Sequence, residues 1–145
     1  MKTSHNPETL VLTFFERVWH APHELEAIDE LMTEDYIIYT AGTAVAGRER
    51  FKDWIRGFQT LLLDARTDSE DIFYNEAQNK VVSRWICSGR NNGIFGLPAD
   101  GREVSFSGIA IWEVRNGRLA RCWAERSAYE LYQQLITTDR PGQFV

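Results

Sequence analysis

An acidic and a basic side chain lie where strand alternation would bring them to one face of a sheet. In the strand-like stretch 119–126, Trp123 and Glu125 share a face because successive side chains of a strand point to opposite sides. Arg84 lies in the stretch 80–89 and is the natural ionic partner of Glu125 across a sheet. If Trp123 faces an apolar pocket, Glu125 does too. A carboxylate held by a guanidinium there is the minimum for moving a proton to or from carbon.

The ionisation state of the Glu125 carboxyl decides what such a pair could do. Burial favours the neutral acid, whereas a directly paired guanidinium favours the carboxylate. We expect the pairing with Arg84 to prevail, which makes Glu125 a general base and Arg84 the group that orients it. The alternative is an ion pair that closes the fold and performs no chemistry. The residues alone leave both interpretations open.

Composition narrows the classes of protein to which the chain can belong. Its 145 residues suit one domain over 1–145, with 1–5 and 139–145 as flexible ends, and 43% hydrophobic and 26% charged residues are typical of a globular protein. The net charge of -5 disfavours nucleic acid as a partner. No apolar run approaches the roughly 18 residues of a membrane span, and the first residues lack the apolar stretch of a secretory signal. We therefore expect no membrane association and a cytoplasmic location.

Cysteine and histidine spacing predicts neither a metal site nor another cofactor. Cys87 and Cys122 are widely separated and lie outside any Cys-x-x-Cys pattern, so we expect two small buried thiols. His20 and His23 have a ligand-like interval, but a proline lies between them at a helix end, which is typical of solvated histidines. Any chemistry is therefore expected to be cofactor-independent.

Hydrophobic periodicity gives the elements that must position these side chains. Apolar residues recur at helical spacing in three N-terminal stretches, after which the period changes to that of strands. Asn6-Pro7 is a helix start, and Asn116-Gly117 is the strongest hairpin signal. Helices are predicted at residues 7–20, 25–32, 48–63 and 129–136. Strands are predicted at residues 36–40, 66–75, 80–89, 103–114 and 119–126, with a glycine-rich loop at 41–47.

This order of elements predicts an α+β fold with an internal pocket. Three helices followed by antiparallel strands place the helices on one side of a sheet. Strands of this length twist and curl, and a curled sheet covered by the long third helix encloses a pocket. Trp54 and Phe58 lie on one stripe of that helix, where core packing is the usual role. The part of the stripe that faces a pocket would also select the shape of a ligand.

The central and last strands resemble those of a known family. VVSRW at 81–85 leads into Ser88-Gly89 and into GIFGLPADGREVSFSGI at 93–109, followed by WEV at 112–114 and by Trp123. This succession is similar to the strand, loop and strand signature of the SnoaL-like branch of the NTF2-like superfamily. The resemblance implies an NTF2-like cone, in which a curved, mostly antiparallel sheet and three N-terminal helices enclose one pocket. The scaffold hosts cyclases, hydroxylases, isomerases, epoxide hydrolases and binding modules, so it implies a fold more strongly than a reaction.

The chain departs from that family at three polar positions. Polyketide cyclases of the family commonly have an acid/base Asp four residues after the last-strand tryptophan, where this chain has Ser127. A hydroxyl cannot replace a carboxylate in proton transfer. Histidines are common where this chain has Tyr39 and Asn91. The resemblance implies that Asn91 and Ser127 contact substrate, that Tyr39 donates a hydrogen bond to a developing enolate, and that Trp123 forms a wall.

These residues predict a cofactor-independent proton-transfer enzyme of the cyclase, isomerase or lyase type, acting on an apolar oxygenated small molecule. Its catalytic residues would be Glu125, Arg84 and Tyr39. The departures from the family favour an alternative, a non-catalytic module for small-molecule binding or dimerisation. Limonene epoxide hydrolases, on the same scaffold, resemble the chain at Glu125 and Arg84, but Ile86 and Ala41 replace two further residues of their site. Epoxide hydrolysis is therefore a minor alternative.

Aromatic residues of the sheet also suggest how copies of the chain would associate. Trp85 and Trp112 are expected on the convex face of the curved sheet. An exposed aromatic patch there would mark an interface. A homodimer is the favoured assembly.

Overall fold

The first helix begins where the sequence supplies a cap. In this computed structural model, which describes residues 6–137, the Asn6 side chain accepts a hydrogen bond of 2.8 Å from the Thr9 amide. Helix α1 (Pro7–Val18) ends two residues earlier than predicted. Its buried face consists of Leu10, Val11, Phe14, Phe15 and Val18. The ends predicted to be flexible, 1–5 and 139–145, lie outside the described residues.

Two further helices precede most of the sheet. They are α2 (Ala27–Leu31) and α3 (Arg48–Leu61). Gly47 precedes α3 with a φ of 100°, a conformation that glycine adopts with the least strain. The third helix ends two residues earlier than predicted because Leu62 already belongs to a strand. Three N-terminal helices are therefore present, as the sequence predicts.

Six strands form one sheet in the described part of the chain. They are β1 (Met32–Thr40), β2 (Thr43–Ala46), β3 (Leu62–Asn75), β4 (Lys80–Asn91), β5 (Glu103–Arg115) and β6 (Arg118–Arg126). Their spatial order is β2-β1-β6-β5-β4-β3. Neighbours are antiparallel except β1 and β6, which are parallel. A last helix, α4 (Ala128–Ile136), follows β6, and the predicted α+β fold is confirmed.

The turns show one confirmed prediction and one that was wrong. Asn116 and Gly117 have φ values of 54° and 75°, and the strands they join pair as the predicted hairpin. The segment predicted as a glycine-rich loop at 41–47 instead contains β2, which pairs with β1. The four residues of β2 are largely exposed, so they carry no alternating hydrophobic signal.

The concave face of the sheet is covered by helices. Phe15 of α1 packs edge-on against Trp112 of β5, with 5.8 Å between ring centroids. Phe51 of α3 packs against Tyr36 of β1 at 4.7 Å. Helix α4 adds Leu131 and Leu135 to a second buried cluster at the other end of this face. Burial against helices is therefore concentrated on this one side.

The outer face of the sheet carries exposed apolar and aromatic side chains. The large exposed ones are Tyr39, Phe73, Ile109 and Ile111. No described helix is both long and apolar enough to cross a membrane. The two faces of the sheet thus differ sharply, and the face to which a side chain points decides whether it can contribute to an internal site.

Candidate functional site

A cavity lies between the concave face of the sheet and helices α1 and α3. About 80 Å³ of its interior is open to the centre of a water molecule, which is space for several waters or for part of an organic ligand. Its walls are dominated by aromatic rings, among them those of Trp19, Trp54 and Phe58. Trp54 and Phe58 of α3 line the cavity, and their contact with a ligand stays a prediction.

Two tryptophans predicted on the convex face line this cavity instead. Trp85 and Trp112 both point inward, and Trp112 is only 3% exposed. The prediction was wrong because residues 81, 83, 85 and 87 of β4, and the even-numbered residues of β5, face the helices. The homodimer prediction therefore loses the aromatic patch on which it rested.

Three polar groups meet at the deep end of the cavity. They belong to Tyr36, Trp112 and Cys122, and the last two are register partners on β5 and β6. Neither Tyr36 Oη nor Trp112 Nε1 makes a hydrogen bond of good geometry within the described residues, although both atoms are buried. The Tyr36 hydroxyl lies close enough to the Trp112 N–H and the Cys122 thiol to interact with both, but buried polar atoms normally make well-formed hydrogen bonds, so these groups are incompletely satisfied.

Burial keeps the acidic groups of this deep end protonated. Loss of hydration raises the pKa of Tyr36 well above its ordinary value, and the neighbouring Cys122 adds to that effect. Burial likewise raises the pKa of the Cys122 thiol. It also raises the pKa of Cys87, which lines the cavity as well, to about 11. At neutral pH these groups can donate hydrogen bonds, but they are poor bases.

The other end of the cavity carries a cation. Arg126, the last residue of β6, lines the cavity with its guanidinium carbon 5.7 Å from the centre of the Phe58 ring. Its Nε atom is buried without a hydrogen-bond partner. Burial lowers the pKa of this guanidinium, but arginine starts so high that it remains a cation at neutral pH. No carboxylate forms an ion pair with it in the described part of the chain.

The residues predicted to be catalytic lie on the outer face, away from this cavity. Glu125 is exposed, and the side chain of Arg84 pairs with Glu70 of β3 rather than with Glu125. Ile109 of β5 is the register partner of both Arg84 and Glu125 and separates them. The predicted pair inside the pocket is therefore wrong in its geometry, and so is the basis of the epoxide hydrolase alternative.

Tyr39 and Trp123 share that outer face. Their rings stack with centroids 6.0 Å apart and planes within 16°. Alternation correctly grouped Trp123 with Glu125, but the face chosen was the wrong one. The small residues that alternate with them, Cys122 and Ala124, point inward and leave the room that the cavity occupies. The large apolar ring of Trp123 suggested that its side of β6 faces the interior, whereas the inward side carries the small side chains.

The two remaining predicted contacts are bonded within the protein and do not line the cavity. The Asn91 amide donates to the Pro98 carbonyl at 2.8 Å, and its oxygen accepts from the Gly93 and Ile94 amides at 3.0 Å. Ser127 Oγ accepts from the Ser107 amide at 3.0 Å. Both side chains therefore fix local structure, at the β4–β5 loop and at the start of α4.

Sequence reasoning missed the polar groups that do line the cavity. Tyr36 alternates with Ile38 and Thr40 on the inward side of β1, opposite Tyr39, so the choice of the Tyr39 face excluded it. Arg126 shares the alternation of Cys122 and Ala124 and could have been found from it. The available signal was the alternation of small and large residues along β6, in which the small residues mark the inward side.

The histidines predicted to be solvated are bonded to the backbone of β3. His20 Nε2 lies 2.8 Å from the Thr67 carbonyl oxygen, and His23 Nε2 lies 2.7 Å from that of Ala65. Within residues 6–137, no three His, Cys, Asp or Glu side chains are grouped so that they could hold a metal ion. The two histidines tie the end of α1 to the sheet.

Comparison with solved structures identifies the fold. A polyketide cyclase candidate from Acidithiobacillus ferrooxidans has a TM-score of 0.81 at 21% identity, covering 93% of this chain and 97% of that one. IdmH of Streptomyces antibioticus, also a polyketide cyclase candidate, has a TM-score of 0.79 at 22% identity, with 90% and 99% covered. AclR of Streptomyces galilaeus, a hydroxylase candidate, has a TM-score of 0.75 at 17% identity, with 88% and 92% covered. Likeness at this identity shows the fold alone.

The sequence itself assigns the family. No curated protein matches the chain. The family model of the SnoaL-like polyketide cyclase matches residues 9–135, which include every strand and the cavity between sheet and helices. This chain therefore belongs to the SnoaL-like polyketide cyclase family.

Proposed function

We propose that the cavity binds an apolar oxygenated small molecule and promotes its cyclisation, isomerisation or elimination without a cofactor. The observation that carries this proposal is the set of three buried donor atoms that make no well-formed hydrogen bond: Tyr36 Oη, Trp112 Nε1 and Arg126 Nε. All three side chains line the same aromatic cavity. Leaving the hydrogen bonds of such donors unmade is costly, and oxygens at the two ends of a bound ligand would satisfy them.

The chemistry of the site would be stabilisation of negative charge. When a proton leaves carbon next to a carbonyl, charge develops on the carbonyl oxygen. Fixed donors in a water-poor cavity stabilise that charge more strongly than water does, and one such donor is commonly worth about 10² to 10³ in rate. At the deep end of the cavity Tyr36 and Trp112 supply neutral donors to such an oxygen, and at the other end Arg126 supplies a full positive charge.

The lining offers no conventional base. No Asp, Glu or His side chain is among the described residues that line the cavity. Tyr36 and Cys122 remain protonated because burial raises the pKa of each. In this proposal the proton leaving the substrate therefore passes to water, and the protein acts on the charge left behind.

The same lack of a carboxylate or imidazole favours a second candidate, a binding module without turnover. In that case a ligand would satisfy the three donors and leave unchanged. The family membership supports the enzyme, whereas the composition of the lining supports the binding module, and one experiment separates them.

That experiment uses the natural distribution of tryptophans. Four of the five, Trp19, Trp54, Trp85 and Trp112, line the cavity, so a ligand that enters it should quench most of the fluorescence. Ketones and phenols of increasing ring number are screened for quenching, and each one that binds is incubated and analysed by mass spectrometry and chromatography. A new product that forms more slowly with Tyr36→Phe supports the enzyme. Quantitative recovery of unchanged ligand contradicts turnover and supports the binding module.

We also propose that the outer face of the sheet pairs with a second copy of the chain. Tyr39, Trp123, Ile111, Val82 and Phe73 are successive register partners and form one row of apolar and aromatic side chains across five strands. A row of this kind on an open sheet face is typical of an interface. It replaces the two inward-facing tryptophans as the basis for a homodimer.

The charges beside this row fit an identical partner. On β6, Glu125 lies on one side of Trp123 and Arg121 on the other, and neither forms an ion pair in the described part of the chain. A two-fold axis along the row would place Glu125 of each copy against Arg121 of the other. Analytical ultracentrifugation tests this arrangement. Glu125→Arg and Arg121→Glu should each weaken the dimer, and the double variant should restore it. A wild type that is monomeric at micromolar concentration contradicts the proposal.

A further inference from the structure

The half-buried side chain of Arg126 has no anionic partner among the described residues. A charge removed from water is costly unless it is paired and hydrogen-bonded. Here the only compensation described is the face of the Phe58 ring, 5.7 Å from the guanidinium carbon. The ring accepts none of the directed hydrogen bonds of the guanidinium, and its Nε atom is buried without a partner. The arginine therefore carries a charge and donor atoms that the protein does not use.

A glycine and a tryptophan shape the part of the cavity next to Arg126. Gly108 of β5 is the register partner of Arg126, and Trp85 of β4 is the register partner of Gly108. The Trp85 ring occupies the space that any side chain at position 108 would take. Glycine thus allows an aromatic ring to lie against the sheet at the backbone position next to Arg126.

The floor between the two polar ends of the cavity is flat and apolar. Ala110 and Ala124 are register partners midway between the row of Trp112 and the row of Gly108, and both face inward. Cys122 and Arg126 are four positions apart on β6, which corresponds to about 13 Å along the strand. A rigid ligand of two or three rings has this length, and its flat face would rest on the two alanines.

We infer that Arg126 binds the ionised acid group, a carboxylate or an acidic enol, of an elongated ligand whose far end carries an uncharged oxygen for Tyr36 and Trp112. The inference rests on the proposed function, because it assigns the ligand of the same cavity. A guanidinium presents parallel N–H groups that match the two oxygens of a carboxylate. The far end suits a neutral acceptor, since Tyr36 and Trp112 are uncharged donors. The two ends therefore define both the charge and the orientation of the ligand.

Matched probes test the inference without knowledge of the natural ligand. A para-hydroxybiphenyl carboxylic acid and its primary amide have the same skeleton and differ in charge at one end. Their dissociation constants are measured by tryptophan fluorescence with wild type, Arg126→Met and Arg126→Lys. Arg118→Met is the matched control, because Arg118 begins the same strand but is exposed and does not line the cavity. Circular dichroism and thermal unfolding establish that each variant is folded.

The expected result is a preference for the acid that depends on Arg126. Wild type and Arg118→Met should bind the acid at least about tenfold more tightly than the amide, as expected of a hydrogen bond to a charged group. Arg126→Met should bind the two equally, and Arg126→Lys should retain part of the preference. Equal binding of acid and amide by wild type overturns the inference while leaving the proposed function intact. The same holds if Arg126→Met keeps the preference. If neither probe enters the cavity, the inference and the proposed function both fail.

Discussion

Replacing Tyr36 by phenylalanine is expected to stabilise the free protein while weakening its binding of ligand. Tyr36 is fully buried, and its hydroxyl makes no well-formed hydrogen bond within the described residues. An unsatisfied buried hydroxyl costs about 1 to 3 kcal/mol. Phenylalanine removes that cost and preserves the ring that packs against Phe51 at 4.7 Å. The substitution should therefore increase the stability of the fold and weaken ligand binding at the site.

The magnitude follows from these contacts. We expect Tyr36→Phe to raise the free energy of unfolding by about 1 kcal/mol, since the deep end of the cavity can admit water that recovers part of the cost. For a chain of this size, such a gain corresponds to a rise in Tm of about 4 °C. Ligands with a far-end oxygen should bind about tenfold more weakly, as for loss of one hydrogen bond.

Urea unfolding and fluorescence titration measure the two effects on the same samples. Tyr74→Phe is the control, because the Tyr74 hydroxyl donates a hydrogen bond of 3.2 Å to Asn79 and lies outside the cavity. That variant should be slightly less stable than wild type and should bind ligand normally. A Tyr36→Phe protein that is less stable than wild type would refute the reasoning, because the hydroxyl would then serve the fold rather than a ligand.

Three further predictions concern the sheet. Gly108→Ala places a methyl carbon 2.7 Å from the Glu125 carbonyl oxygen and against the Trp85 ring, so it should lower the free energy of unfolding in urea by about 1 to 3 kcal/mol. The control is Gly57→Ala in α3, where the added carbon meets no atom within 4 Å and should be neutral or stabilising. Equal effects of the two substitutions would contradict this prediction. Glu125→Gln should retain turnover of any substrate found in the screen, because Glu125 is exposed on the outer face; loss of the chemical step would restore it as a base. Burial raises the pKa of Cys87 to about 11, so its contribution to stability is complete below the pKa of an unfolded thiol, about 8.5, and is lost as pH rises through 11. Between pH 8 and 11 wild type should therefore lose on the order of 2 kcal/mol more than Cys87→Ala, measured by urea unfolding, and parallel curves would contradict this.

The order of elements was predictable because it depends on local patterns. Asn6-Pro7 started α1, and Asn116-Gly117 formed the hairpin, since each signal acts within a few residues. Strand β2 was missed because a short exposed edge strand has no hydrophobic alternation. Its pairing with β1 depends on backbone groups that every sequence carries.

The site was harder to predict because alternation fixes which residues share a face but not which face is inside. Glu125 and Trp123 were grouped correctly and then assigned to the pocket, although Cys122 and Ala124 occupy the inward side. A curved sheet needs small residues on its concave side where the cavity must remain open. Arg126 follows from that rule, whereas the partnerless state of its guanidinium is visible only in three dimensions.

The most direct test of this account is a crystal structure of the protein with the hydroxybiphenyl carboxylic acid bound. The account predicts one molecule between the sheet and helices α1 and α3, with its carboxylate within about 3 Å of Arg126 and its hydroxyl oxygen at hydrogen-bond distance from Tyr36 or Trp112. A ligand bound on the outer face beside Glu125, or one in the cavity with its carboxylate directed away from Arg126, would contradict it.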